Sequence, residues 1–246
     1  MVPEIIIATV MMVLCFVVGV LSFSIGKKKG AKELLSLFMV NGYELRTRVF
    51  RGINQQVKKG GVVFVGDSIT QDYPVGEYFP QALVYNRGIG GDTSKGLLGR
   101  LNESVFDLDP SVMILLIGTN DLELIADGVP AIADRIKEVI RLVHETCPKT
   151  QIILESVYPV NPAIDPITVS HRNNEDINQL NGLLKTIPDV TFLDFTTLLA
   201  DDGGALSRSL SADGLHVNQE GYYRISAKLR EIVPELGDPS AKEKAE

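Results

Sequence analysis

The sequence predicts an α/β protein, a three-layer sandwich on a five-stranded parallel sheet, preceded by an N-terminal transmembrane helix. Three observations carry this expectation. From residue 60 onward, short β-rich runs alternate with longer amphipathic segments, the pattern of βαβ units joined by right-handed crossovers. The β-rich runs are continuously apolar rather than alternating, as in strands covered on both faces. Residues 5–25 carry no charged side chain, and roughly 20 apolar residues are enough to cross a bilayer as a helix.

Glu4 precedes the apolar stretch and Lys27-Lys28-Lys29 ends it. A secretory signal peptide would place Lys or Arg before the apolar core and a small-x-small site after it, and neither is evident. Cys15 lacks the preceding small residues of a lipoprotein cleavage site. Residues 1–26 are therefore expected to be an uncleaved membrane anchor. Lys27, Lys28, Lys29 and Lys32 all follow the span, so the positive-inside rule places the bulk of the chain in the cytoplasm, with an extracytoplasmic domain as the alternative. Residues 27–59 carry nine Lys/Arg against Glu33 and Glu44, a net +7. They read as a basic, helical, juxtamembrane stalk suited to an anionic membrane surface. Leu34, Leu35, Phe38 and Met39 are at helical spacing, Gly42 is a candidate break, and Lys59-Gly60-Gly61 ends the segment.

Residues 60–234 form the predicted domain. Strands are expected at Val62–Val65, Ala82–Tyr85, Val112–Ile117, Gln151–Val157 and Val190–Phe195. Pro130 suits a helix first turn, and Ile132, Ile136, Val139, Ile140 and Val143 form one apolar stripe ending at Cys147-Pro148. Glu175–Ile187 and Gln219–Val233 read as helices of the same kind. Residues 235–246 are expected to be a disordered, solvated tail. Residues 60–246 carry a net charge of −13, which argues against a nucleic-acid partner. Cys15 and Cys147, the only cysteines, give no disulfide framework. Oligomeric state is not readable.

In such sheets ligands bind beyond the carboxyl ends of the strands, and each of the first three strands is followed by a chemically suggestive loop. After the first come Gly66, Asp67 and Ser68, where a strand-to-helix junction exposes a hydroxyl; a plain helix cap by Asp67 or Ser68 is the alternative. After the second comes Asn86-Arg87-Gly88-Ile89-Gly90-Gly91-Asp92-Thr93-Ser94, a tight Gly-rich turn capped by Asp92, Thr93 or Ser94. A phosphate cradle is its rival, but no Gly-Lys-Ser/Thr follows and the spacing is not G-x-G-x-x-G. After the third comes Gly118-Thr119-Asn120-Asp121, where Asn120 is either an amide donor or a turn residue. Near the end of the domain, Asp213 and His216 stand three residues apart and can lie on one side of a turn. Of the other histidines, His144 sits near a helix end and His171 in a polar run that reads as an exposed loop. A hydroxyl, an imidazole, a carboxylate and oxyanion donors are the parts of serine acyl transfer, recognised by role rather than by chain order.

The blocks GDSIT, NRGIGGDTS, GTND and DGLHVN resemble those of the SGNH hydrolases, the GDSL-type esterases and lipases, across about residues 58–233. Within that family the chain is most similar to the platelet-activating-factor acetylhydrolase catalytic subunits and their bacterial relatives, on NRGIGGDTS, LLGRL, GTND and NQEGY. The resemblance implies a flavodoxin-like fold, Ser68 as nucleophile, His216 as general base and Asp213 as its orienter. It also implies an oxyanion hole of the Ser68 and Gly91 backbone N–H groups and the Asn120 amide, with Asp67, Asp92 and Thr119 as supporting residues. The G-x-S-x-G elbow of α/β-hydrolases is absent. No metal or organic cofactor is expected, because no His/Cys cluster has ligand spacing. Asn120→Ala is expected to lower turnover about 100- to 1000-fold with the fold intact. Without a long insertion to act as a lid, the groove should be open to short acyl esters, such as acetyl esters of a sugar or lipid. A lysophospholipase or thioesterase is the second reading, and a non-catalytic, phosphate-ligand-binding α/β domain the alternative from another class.

Overall fold

The computed structural model describes residues 40–237 except 126, and isolated positions from 22 to 37. The chain divides into two compact units, Met1–Glu44 and Leu45–Glu246. In the first unit the described residues are helical, Gly42 included, so Gly42 does not interrupt the helix. Among the described residues, no helix is long and apolar enough to cross a membrane. The span expected over residues 5–25 falls outside them except at Ser22, and so do residues 238–246 of the expected tail.

The second unit contains five parallel strands, β1 (Val62–Gly66), β2 (Val84–Gly88), β3 (Val112–Leu116), β4 (Gln151–Glu155) and β5 (Thr191–Leu193), in the order β2-β1-β3-β4-β5. Both central strands, β1 and β3, are buried at every position. Side chains alternate between the faces of a strand, and here both sets are apolar. Val63, Val65, Met113 and Leu115 point to one core, against the helices Val129–Thr146 and Asn174–Leu184. Val62, Phe64, Ile114 and Leu116 point to the other, against Ile69, Phe79 and the helix Gln219–Ile232. Two cores sharing one sheet are the reason these strands read as unbroken apolar runs. The stripe predicted on Val129–Thr146 is buried at all five positions. Truncating one such residue, Ile136→Ala for example, would cost about 2–5 kcal/mol.

The second strand lies two to three residues beyond its expected place, at Val84–Gly88 rather than Ala82–Tyr85. Asn86 and Arg87 look like turn residues, yet both belong to the ladder with β1. Tertiary contacts outweigh their low strand propensity. The Asn86 amide donates to the carbonyls of Thr70 and Tyr73 at 2.6 and 2.9 Å. The Arg87 guanidinium lies 4.8 Å from the centre of the Phe50 ring. Phe50 belongs to a helix over residues 45–54, the far end of the expected stalk. That helix covers the edge strand β2, Arg46 donating to the Gly88 carbonyl at 3.1 Å. Covering an edge in this way removes a template for pairing with other chains.

Candidate active site

Chain order reverses between β1 and β3, where such sheets open a crevice at their carboxyl ends. Gly66 ends β1, and Asp67 caps the short helix Ser68–Gln71 by accepting from the Ile69 amide at 2.9 Å. The cap and the exposed hydroxyl thus coexist: Asp67 is fully buried while its neighbour Ser68 is half-exposed. Ser68 Oγ lies 2.9 Å from His216 Nε2, and His216 Nδ1 lies 2.7 Å from Asp213 Oδ2. The other carboxylate oxygen, Asp213 Oδ1, accepts the backbone N–H groups of His216 and Leu215 at 2.8 and 3.0 Å. Partial burial pushes the Asp213 carboxyl up. Hydrogen bonds from the His216 ring and these two amides outweigh it, and the net shift is downward. A carboxylate held in its charged form favours a proton on Nδ1, which leaves Nε2 as an acceptor facing Ser68.

The turn that presents this pair depends on Gly214. Its φ is +78°, a region costly for side chains with a Cβ. A Cβ there would lie 2.2 Å from the Asn161 carbonyl oxygen. The Asn161 backbone N–H in turn donates to the Gly214 carbonyl at 2.8 Å, which fixes the turn from both sides.

Backbone donors in the loop after β2 can be accounted for one by one. Gly88 N–H donates to Asn86 Oδ1 at 2.9 Å, Ile89 to the Gly66 carbonyl at 3.1 Å and Gly90 to Gln71 Oε1 at 3.0 Å. Asp92 donates to the Ile89 carbonyl, Thr93 to Asp92 Oδ1 and Ser94 to Asp121 Oδ2. Among the described residues, the Gly91 N–H has no protein acceptor. Gly91 has φ +76°, and a Cβ on the adjacent Gly90 would lie 3.9 Å from Ser68 Cβ, so the segment runs beside the hydroxyl.

Asn120 is buried, its Nδ2 donating to the Asp92 carbonyl at 3.0 Å and its Oδ1 accepting from Arg172 at 2.9 Å. One amide hydrogen remains after the Asp92 bond. Asp92 also pairs with Arg100 at 2.7 Å, an ion pair with almost no solvent access. Burial raises the Asp92 carboxyl, and Arg100 opposes the shift. Arg100 further donates to the carbonyls of Gly66 and Arg87 and to Ser104 Oγ, tying the ends of β1 and β2 to the Gly-rich loop. Burial pushes the Asp67 carboxyl up to about 7, against the Ile69 amide bond. Asp67 Oδ2 and Thr119 Oγ1 have no hydrogen-bond partner among the described residues. Thr119 contributes through its carbonyl, which accepts from Arg172 Nε at 2.9 Å.

Ser68, His216, Asp213, Asn120 and the Asp92 carbonyl are thus joined in two hydrogen-bonded groups, with the Gly-rich loop beside Ser68. The sequence alone gives no role to Arg100, Gln71, Asn161 or Arg172. Arg100 stands in the quoted LLGRL, and the polar run around Arg172 resembles a solvated loop. His171 is in fact 86% exposed while its neighbour Arg172 is only 7% exposed at the side chain. Among the described residues, no group of three or more His, Cys, Asp or Glu is placed to hold a metal ion.

Residues 64–224 match the model of the GDSL-like lipase/acylhydrolase family. The chain belongs to that family. It is 31% identical over 193 residues to the platelet-activating factor acetylhydrolase IB subunit alpha2 of Rattus norvegicus, spanning 76% of this chain and 82% of that relative. A solved structure described as a platelet activating factor from Streptococcus pneumonia has a TM-score of 0.76 at 30% identity, covering 82% of this chain and 97% of that one. The fold is shared with a GDSL-like lipase from Bacteroides thetaiotaomicron, at a TM-score of 0.68 and 24% identity over 77% of this chain and 97% of that one. This GDSL-type protein is therefore a carboxylic ester hydrolase, which sets aside the non-catalytic phosphate-binding alternative.

Proposed function

We propose that this protein is a serine esterase acting on short acyl esters, such as acetyl esters of a sugar or lipid, through Ser68, His216 and Asp213. The observation that carries the proposal is the unbroken hydrogen-bond chain from Ser68 Oγ through His216 to Asp213, at 2.9 and 2.7 Å. Ser68 attacks the ester carbonyl carbon as its proton passes to His216 Nε2. The tetrahedral oxyanion takes hydrogen bonds from the Ser68 and Gly91 backbone N–H groups and from Asn120 Nδ2. Collapse breaks the bond to the alcohol, which leaves with the His216 proton, and water then repeats the sequence on the acyl-enzyme. Donors fixed before the reaction gain most where charge develops. The Gly88 and Gly90 N–H groups already have protein acceptors and the Gly91 N–H has none among the described residues, which favours Gly91 for this role.

His216 and Asp213 are about one-third exposed at the side chain, 32% and 34%. This favours a site open enough for bulky alcohols. The name of the rat relative, an acetylhydrolase, favours a short acyl group. A lysophospholipase or thioesterase reading draws on Leu124 and Ile167, 53% and 87% exposed, on the segments that carry Asn120 and Arg172. Fluorophosphonate labelling of the purified full chain tests the nucleophile. Stoichiometric modification of Ser68, lost in Ser68→Ala, is expected, and a folded protein that stays unlabelled would overturn the mechanism. A p-nitrophenyl ester series from acetate to palmitate tests the acyl preference, a maximum beyond about eight carbons rejecting the short-chain reading. Membrane attachment through residues 1–26 rests on the apolar stretch of residues 5–25, and the cytoplasmic placement of the domain on the lysines that follow it. Protease protection in intact cells would reject it if the domain were digested from outside.

A further inference from the structure

We infer that Arg172 is a positioning residue that locks the Asn120 amide in its donor-outward orientation and polarises it; this rests on the esterase reading above. A carboxamide can sit in its site in two ways, related by exchange of oxygen and nitrogen. Only one presents an N–H to a developing oxyanion. Here Oδ1 receives Arg172 Nη2 at 2.9 Å while Nδ2 gives one hydrogen to the Asp92 carbonyl at 3.0 Å. Exchanging the two would set the amide NH2 against the guanidinium and its oxygen against a carbonyl. Donor would meet donor and acceptor would meet acceptor.

Arg172 can enforce this because it is itself immobilised. Nε donates to the Thr119 carbonyl at 2.9 Å, and Nη1 to those of Val169 and Thr168 at 3.2 and 3.3 Å. A planar guanidinium with donors in a fixed fork suits this arrangement, and a Lys ammonium does not. The nearest carboxylate oxygen, Glu123 Oε2, stands 3.9 Å from Nη1. Arg172 therefore spends its hydrogen bonds on carbonyls, and its charge is not cancelled by a close bidentate partner. The cation draws electron density toward Oδ1 and leaves the Nδ2–H group a better donor. Hydrogen bonds to ionised groups are the strong ones.

A double-mutant cycle separates this role from packing. Turnover of p-nitrophenyl acetate and the rate of fluorophosphonate labelling are measured for wild type, Arg172→Met, Asn120→Ala and the double variant. Arg172→Met is expected to lower kcat and the labelling rate together, by about 10- to 100-fold, a fraction of the loss of a whole donor, with KM little changed. On the Asn120→Ala background the same substitution should change kcat by less than about twofold, because the group it acts on is gone. Arg172→Lys should fall between Arg172→Met and wild type. Equal factors on both backgrounds, or wild-type kcat in Arg172→Met, would overturn the inference. Far-UV circular dichroism checks folding, and Arg172→Lys and Arg172→Gln run the same cycle if the Met variant does not fold. Wild-type protein that labels at Ser68 but gives an additive cycle refutes the Arg172 role alone. Wild-type protein that does not label refutes the esterase mechanism with it.

Discussion

Replacing Asn120 by alanine perturbs rate and stability by amounts that can be told apart. The rate effect is the loss of one donor to the oxyanion, about 100- to 1000-fold in kcat, or roughly 2.7–4 kcal/mol of barrier. The stability effect follows from the two bonds the side chain makes in the ground state. Without it, the Asp92 carbonyl and Arg172 Nη2 lose their partners in a buried site, at about 1–3 kcal/mol each, or roughly 2–6 kcal/mol together. The fold is thus not untouched, as the sequence suggested, but weakened. For a domain of about 8 kcal/mol, within the usual 5–15 kcal/mol, at least about 2 kcal/mol would remain, leaving at most roughly 3% of molecules unfolded. A few per cent of unfolded chain cannot produce a hundredfold loss of turnover. The assay is steady-state hydrolysis of p-nitrophenyl acetate well below the melting midpoint, beside urea denaturation of the same preparation. A variant folded under assay conditions and turning over within about threefold of wild type would refute the oxyanion role of Asn120.

Three further outcomes are expected. Asp213→Asn should lower kcat by about 10⁴-fold, since an amide facing Nδ1 moves the imidazole proton to Nε2 and removes the acceptor for Ser68; a kcat within tenfold of wild type would contradict this. Gly214→Ala should lose more than about 1–2 kcal/mol from its φ of +78° and the clash with Asn161, and lose activity as the turn shifts; unchanged denaturation and kcat would show that the turn adapts. Glu155, on β4, has its carboxyl pushed by burial from 4.5 up to about 7, with Tyr158 opposing at 2.6 Å. Between those two values the folded chain holds a proton the unfolded chain has released, so stability falls as pH rises through that window. Glu155→Gln removes this penalty. It should match wild type below about pH 4.5 and exceed it above pH 7 by up to about 3 kcal/mol; a difference independent of pH in melting experiments would refute the buried-carboxyl account.

Much of the site was readable because its chemistry resides in local blocks that follow strands. Ser68 and Asn120 each sit in a short motif whose place at a strand end follows from apolar periodicity, and the Asp213–His216 pair is marked by its own spacing in the loop before the helix Gln219–Ile232. Gly91 came from resemblance alone, and only the accounting of its neighbours' hydrogen bonds gives it a physical reason. Arg172 was not readable, since its partners, the Thr119 carbonyl and Asn120 Oδ1, lie more than 50 positions away in the chain. A polar run such as SHRNN carries no sign that one of its members is buried. The displacement of β2 has the same origin. Asn86 and Arg87 have turn-like identities, and contacts with residues 70–73 and Phe50 hold them in the sheet.

Ser68 and His216, the proposed nucleophile and base, are 148 positions apart, and the helix Gln219–Ile232 is fastened to the segment that carries Ser68. Tyr222 on Gln219–Ile232 donates to the Ile69 carbonyl at 2.7 Å and stacks on Tyr73 at 4.7 Å. During synthesis Ser68 leaves the ribosome before His216 exists, and until His216 docks beside it Ser68 is an ordinary alcohol. On the proposed mechanism, hydrolytic competence therefore waits until the segment carrying His216 has been made and has docked beside Ser68. Time-resolved esterase activity during refolding would report the closing of the loop between Ser68 and His216 directly.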